Sequence, residues 1–386
     1  MRIPPPALAT QAGLPLPAES LECGNGARFP DAPIDGRRPD GLTVQTNPKP
    51  AVRRRRTRRD VLSILAVGGA AGVAWKLGLF DRLRGGAVAL TRVLMGTEVN
   101  LRVVGDDREA AASAADATLA RMAELEALLS RHREDSEVSR LNATGEVERA
   151  SEAVLDVLRV SERVWRLGDG AFDVTVQPVF ALYQDHLERR LGLPAAESIE
   201  EAVSRVDYRA VRIDGASVSF ERPGMRLTLD GVAKGYIVDR GVEVLKQRGF
   251  ANVFVEAGGD LLATGVKSPG VPWRIGIRNP RPGVALLARF DARDSAVATS
   301  GDYMQPFTPD YSQHHIFDPR TGYSPPELAS STVVAPDAAT ADALATLTMV
   351  LGPVRSLELV EDLPDCEGYF VTKNLDVVRT SGFVVA

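Results

Sequence analysis

Cysteine and histidine are scarce in this chain of 386 residues, which has two of the first, Cys23 and Cys366, and four of the second. Two thiols so far apart make no disulfide framework and no C-x-x-C pair for zinc or redox work. The adjacent His314 and His315 would point to opposite faces of a strand, so they do not serve one metal together. A basic stripe is missing from the body of the chain as well. Residues 1–86 hold 14 Lys and Arg against 7 Asp and Glu, whereas the remainder holds 32 against 44. Such an acidic body excludes nucleic acid as a partner, because phosphate backbones are held by clustered cations. Neither G-x-x-x-x-G-K-[ST] nor G-x-G-x-x-G follows a predicted strand, which removes P-loop and dinucleotide-fingerprint binding. Internal repeats and coiled-coil heptads are lacking too.

What is present is an ordinary globular composition, 44% hydrophobic and 25% charged, with enough chain to bury a core without cross-links. The N-terminal part differs in kind. Residues 1–52 are rich in Pro, Gly, Ala and Asp without apolar periodicity, so burial cannot offset their ordering entropy and they are predicted to be disordered; a downstream start of translation is the alternative. An arginine run then reaches Thr57-Arg58-Arg59-Asp60-Val61-Leu62, followed by an apolar stretch to Ala74. Basic region, arginine pair, weakly apolar stretch and small residues, in that order, resemble a twin-arginine export signal over 53–80. Residues 61–80 also reach about 20, the length that spans a bilayer. The expectation is a periplasmic protein, either cut from its signal or held by it in the inner membrane.

From about residue 87 the pattern becomes α/β. Apolar alternation predicts strands over 88–104 around Met95-Gly96-Thr97, and helical spacing predicts helices over 108–129 and 151–167. Strands are expected at 210–221 and 225–229 across the turn Arg222-Pro223-Gly224, then a helix over 236–248 closed by Gly249. Further strands are expected at 253–256, 273–278 and 285–290, with a helix over 338–351 ended by Gly352 and strands in the last 20 or so residues. One domain over 87–386, a mixed sheet flanked by helices, is the simplest architecture.

Three segments carry candidate chemistry. At 227–236 a strand gives way through Asp230-Gly231-Val232-Ala233-Lys234-Gly235 to a helix, and free N–H groups with a lysine there attract phosphate, although a Gly-Lys turn alone is more often only a turn. Asp342 and Thr346 lie four apart on a predicted helix, so a carboxylate and a hydroxyl share one face and suit a hard cation such as Mg²⁺, although a helix-start carboxylate and a back-bonded threonine are by themselves the commoner explanation. His314-His315-Ile316-Phe317-Asp318-Pro319-Arg320-Thr321-Gly322 ends in ordinary turn chemistry.

Taken in order with Met95-Gly96-Thr97, SRHREDSEVSRLN (130–142), GAFDVTV (170–176), EAGGD (256–260) and TSGDY (299–303), these segments resemble the ApbE family of FAD:protein FMN transferases over nearly all of 93–386. The resemblance implies a single T-fold-like domain, and Mg²⁺ held by the Ala233 carbonyl, Asp342 and Thr346, with the Ala345 carbonyl as a further ligand. It implies that FAD, the substrate, touches Met95, His132, Ala171, Phe172, Asp173, Asp230, Lys234, Ser300, Gly301 and Ile316. It implies transfer of FMN to a Thr or Ser hydroxyl of an acceptor flavoprotein with release of AMP, Lys234 offsetting phosphate charge and Asp302 or His315 taking the proton. The turn at 228–235 is closer to the branch reading Leu-Asn-Gly-Ile-Ala-Gln-Gly, and with the twin-arginine leader it resembles the NosX-like members, which implies a membrane-associated acceptor. An FAD pyrophosphatase and a non-catalytic exported FAD-binding protein are the alternatives.

Overall fold

In the computed structural model, which describes residues 86–283 and 286–386, the chain enters its fold through a hairpin. The export-signal, anchor and disorder readings at 1–80 lie outside the described residues. β1 (Ala87–Leu94) and β2 (Thr97–Val104) pair antiparallel, and Val99, Leu101 and Val103 alternate inward as a strand with one packed face requires. Met95 and Gly96 turn between them with φ of 52° and 69°, the two-residue geometry that matches strand twist. α1 (Arg108–Leu129) follows, capped by the Asp107 carboxylate on the Ala110 N–H and burying Ala115, Leu119, Met122, Leu125 and Leu129.

The large sheet is completed by β6 (Asn252–Ala257), β7 (Asp260–Thr264), β10 (Ser295–Gly301), β11 (Leu328–Ala335), β12 (Glu367–Thr372) and β13 (Val377–Arg379), in the order β1-β2-β6-β7-β10-β11-β12-β13. Pairings between its strands are antiparallel. Helices α1, α6 (Ala233–Gln247) and α7 (Ala338–Glu361) cover one face. The hairpin of β8 (Trp273–Arg278) and β9 (Leu286–Ala292) contributes Trp273, Ile275 and Phe290 to a second core with Leu261, Ala263 and Val371. Leu262 turns to the helical side while its neighbours turn to the other, so β7 is buried at every position. A strand covered on both faces loses its alternation.

α3 (Glu152–Leu167) forms where the sequence places it, whereas α2 (Glu137–Thr144), α4 (Gln177–Glu188) and α5 (Ala196–Val203) were not expected, and a small sheet joins β3 (Glu146–Val147), between α2 and α3, to β4 (Val211–Asp214) and β5 (Ser217–Phe220). The strand expected at 210–221 is therefore a hairpin, broken at Gly215 with φ 58°. The strand expected at 225–229 does not form. The Asn142 side-chain amide binds both the N–H and the C=O of Leu227, at 2.7 and 2.8 Å, and takes the place of a ladder partner. A parallel bridge of Val176 to Arg226 is all that remains there.

α6 and α7 meet at their N-terminal ends, and this contact sets the site. The buried Asp239 of α6 accepts hydrogen bonds from the N–H groups of Ala338 (2.8 Å) and Ala339 (2.9 Å), orphan donors of the first turn of α7. Burial raises the Asp239 pKa to about 7, against the pull of those two donors. A carboxyl that holds its proton more tightly when folded favours the fold below its unfolded pKa and loses that contribution as pH rises through 7. Asp239→Asn should therefore gain on the parent between pH 4 and pH 8 by roughly 4 kcal/mol. Denaturant unfolding of both proteins at the two pH values checks this; a constant difference would refute it.

Candidate functional site

A cleft of about 720 Å³ opens where the β1–β2 turn, the loop after α1, the loop before α4, the 230–234 turn, the end of β10 and the face of α7 converge. Met95, Ser130 and His132 line it, as do Ala171, Phe172 and Asp173, and Phe180 and Ile316 add apolar surface. Apolar walls with a few convergent polar groups are the usual make-up of a site for a small molecule. The polar groups gather at one place, where Asp230, Ala233, Lys234, Ser300, His315, Asp342 and Thr346 line the same cleft.

Local sequence explains how they arrive there. α6 starts at Ala233 without a side-chain cap, leaving its early N–H groups to outside partners. One of them, the Gly235 N–H, donates to Asp342 Oδ2 at 3.1 Å. Thr346 follows Asp342 by one helical turn, and its Oγ1 lies 3.3 Å from the Ser300 hydroxyl. Lys234 pairs through Nζ with the buried Asp260 at the start of β7. Burial alone would lower the Lys234 pKa, but Asp260, Asp342 and Asp230 outweigh it and hold the ammonium charged. Burial, and then the nearby Asp260 carboxylate, push the Asp342 pKa to about 8. An anion so disfavoured, one helical turn from a hydroxyl, is a site that a cation would relieve. Among the described residues no three His, Cys, Asp or Glu gather around a point. The donors that do gather are hard oxygens, and they fit Mg²⁺ with few protein ligands.

His315 lines the cleft, and its buried Nδ1 has no hydrogen-bond partner within the protein. Burial lowers its pKa to about 4, so the ring is neutral near pH 7. His314 turns the other way into the core, with Nε2 3.4 Å from the Pro325 carbonyl.

Other expected residues are engaged elsewhere. Asp302 has a fully buried side chain outside the cleft lining, held by two 2.7 Å bonds from Arg281 and by Lys373 at 3.1 Å. Doubly paired, it is not a proton acceptor for a ligand in the cleft. It is a structural anchor, and Arg281→Met, which leaves it half-paired, should cost about 3 kcal/mol in unfolding free energy; a loss under about 0.5 kcal/mol would contradict that role. The Ala345 carbonyl is turned into the helix, where it accepts from the Thr348 hydroxyl at 3.1 Å, and is not a cleft oxygen. Gly301 ends β10 opposite Ser330, its Cα beside the Tyr303 ring, and also lies outside the lining. Asp173 reaches the cleft, but its oxygens accept from the Thr175 N–H and hydroxyl and the Tyr208 N–H, so it shapes the loop. Sequence reading passed over Phe180, Gln305 and Asp260. Phe180 and Gln305 sit in segments with no motif, whereas the Gly258-Gly259-Asp260 stop marked Asp260 without giving it a task.

The ApbE family model matches residues 95–370. The chain is 32% identical over 281 residues to the FAD:protein FMN transferase of Vibrio cholerae, covering 71% of this chain and 84% of that one. It is 33% identical over 288 residues to that of Haemophilus influenzae, with 71% and 83% covered. Among solved structures it resembles the ApbE protein of Thermotoga maritima, with a TM-score of 0.70, 32% identity and 76% and 97% of the two chains covered. The flavin transferase ApbE from Vibrio cholerae superposes with a TM-score of 0.67, 30% identity and 78% and 99% covered.

Proposed function

The chain belongs to the ApbE family, and from that membership we propose that it is an FAD:protein FMN transferase. The observation that carries the reading is the convergence of Lys234, His315, Asp342 and Thr346, from three separate segments, on one cleft large enough for a dinucleotide. In this reading the acceptor hydroxyl oxygen forms a bond to the FMN-side phosphorus of FAD, the bond to the AMP oxygen breaks, and AMP leaves. Lys234 opposes the charge of the pyrophosphate oxygens, and Asp260 keeps its ammonium in place. His315, the neutral imidazole on the cleft lining, receives the proton of the incoming hydroxyl. The Ala233 carbonyl, Asp342 and Thr346 would hold Mg²⁺, which would supply charge neutralisation to the pyrophosphate. Phe172 and Ile316 exclude water from the apolar end of the cleft.

We place the protein in the periplasm, delivered by its twin-arginine leader or held by it in the inner membrane, with a membrane-associated flavoprotein as acceptor. The arginine pair and apolar stretch at 58–74 support that assignment. The test combines the protein with FAD, Mg²⁺ and a candidate acceptor domain and weighs the acceptor. The expected result is the gain of one FMN; free FMN and AMP beside an unchanged acceptor would replace transfer by pyrophosphate hydrolysis.

A further inference from the structure

Arg131 belongs to none of the roles assigned so far, yet three parts of the cleft wall meet on it. Its neighbours Ser130 and His132 both line the cleft. Its Nε donates to Asp230 Oδ2 at 2.7 Å, and its guanidinium carbon sits 4.4 Å from the centre of the Phe180 ring. Asp230 and Phe180 are themselves cleft residues, brought from the 230–234 turn and from α4. The Arg131 side chain is only 10% exposed, whereas that of Asp230 is 51% exposed. Arg131 is thus packed into the wall while the carboxylate it grips faces the open cleft. The Arg131 backbone is fixed as well, since its carbonyl accepts from the Ser139 hydroxyl at 3.3 Å.

A carboxylate half in solvent would otherwise turn among several rotamers, and a ligand would have to order it on binding. Among the described residues, no hydrogen bond to that carboxylate other than that of Arg131 occurs, the His132 ring standing 4.0 Å away. A planar guanidinium can donate in its plane to Asp230 and stack its face on Phe180 at the same time, which an ammonium cannot do.

We propose that Arg131 is a positioning residue for FAD, fixing the Asp230 carboxylate and the Phe180 ring in the arrangement that receives the dinucleotide. The inference rests on the transferase reading, and it assigns Arg131 to substrate affinity rather than to the phosphoryl step. The experiment titrates FAD, with acceptor absent, into the parent, Arg131→Met, Arg131→Lys, Asp230→Ala and the Arg131→Met/Asp230→Ala double variant, following flavin fluorescence. Arg131→Met should raise Kd about tenfold, and Arg131→Lys, which keeps charge but not the stack, should recover only part of it. The losses should be less than additive in the double variant, because the arginine acts in part through that carboxylate and in part through the Phe180 ring. In turnover, KM for FAD should rise far more than kcat falls. An unchanged Kd in Arg131→Met, additive losses in the double variant, or a lowered melting temperature with unchanged affinity would each overturn the proposal while leaving the transferase reading intact. Failure of the parent to bind FAD would overturn both.

Discussion

Asp342→Asn should reduce FMN transfer by about three orders of magnitude or more while leaving the protein folded and more heat-resistant. The amide has the volume of the carboxylate and retains an oxygen for the Gly235 N–H, so the α6–α7 contact is preserved. What disappears is the single negative charge among the hard-oxygen donors proposed to hold Mg²⁺, and with it their expected grip on the cation. Stability should move in the opposite direction. Burial and the neighbouring Asp260 raise the Asp342 pKa to about 8, so in cation-free protein the folded state favours the protonated acid. That contribution is present below pH 4 and is lost as pH climbs through the raised value. Near pH 8 the parent therefore carries a penalty that the variant lacks, and each kcal/mol relieved should lift the melting temperature by about 2–4 °C. Melting curves in chelator, beside acceptor mass in FAD and Mg²⁺, measure both halves. Loss of activity together with loss of stability would make Asp342 a structural carboxylate. Retained activity would remove it from the site altogether.

That opposition between function and stability was partly legible in the sequence. A carboxylate and a hydroxyl one turn apart on an Ala-rich helix announced a shared face, and α7 places both in the cleft. Helix α1 was readable to its ends because Asp107 caps it and its apolar stripe keeps one period. Strands β10 and β11 were not, since SAVATSG and LASSTVVA are small and polar by composition. They are strands because α7 packs directly on them and leaves room only for small side chains, a tertiary fact without local signature. α4 and α5 escaped for a related reason. Their apolar residues Val179, Tyr183 and Ile199 answer to Phe317, far along the chain, in a core of their own. Asp302 illustrates the same limit at the site. It sits beside cleft-lining Ser300 in a matched motif, and nothing local reveals that Arg281 and Lys373 will claim it.

Gly235→Ala should be the most disruptive glycine-to-alanine change among the described residues, costing about 3 kcal/mol or more in stability and about 10²-fold or more in transfer by the molecules that still fold. A Cβ on Gly235 would stand 2.0 Å from the Ala338 carbonyl oxygen, 2.4 Å from its carbon and 2.8 Å from the Ala339 nitrogen. All three are backbone atoms at the first turn of α7, so no side chain can swing aside. Relief requires the two helix ends to separate, and the bonds from Ala338 and Ala339 to Asp239 resist that movement. The same separation pulls the Gly235 N–H from Asp342 and shifts Ala233 and Lys234 relative to α7. Displacements on the order of 1 Å in a phosphoryl-transfer site are enough for a loss of that size. Gly145→Ala supplies the contrast. That glycine caps α2 with φ 80° and has open space where a Cβ would go, so its replacement should cost about 1 kcal/mol of backbone strain and leave transfer near the parent rate. Measured side by side for unfolding free energy and acceptor mass, the two variants separate glycine's conformational freedom from glycine's lack of bulk. Equal behaviour of the two would mean that the α6–α7 approach does not set the geometry of the site.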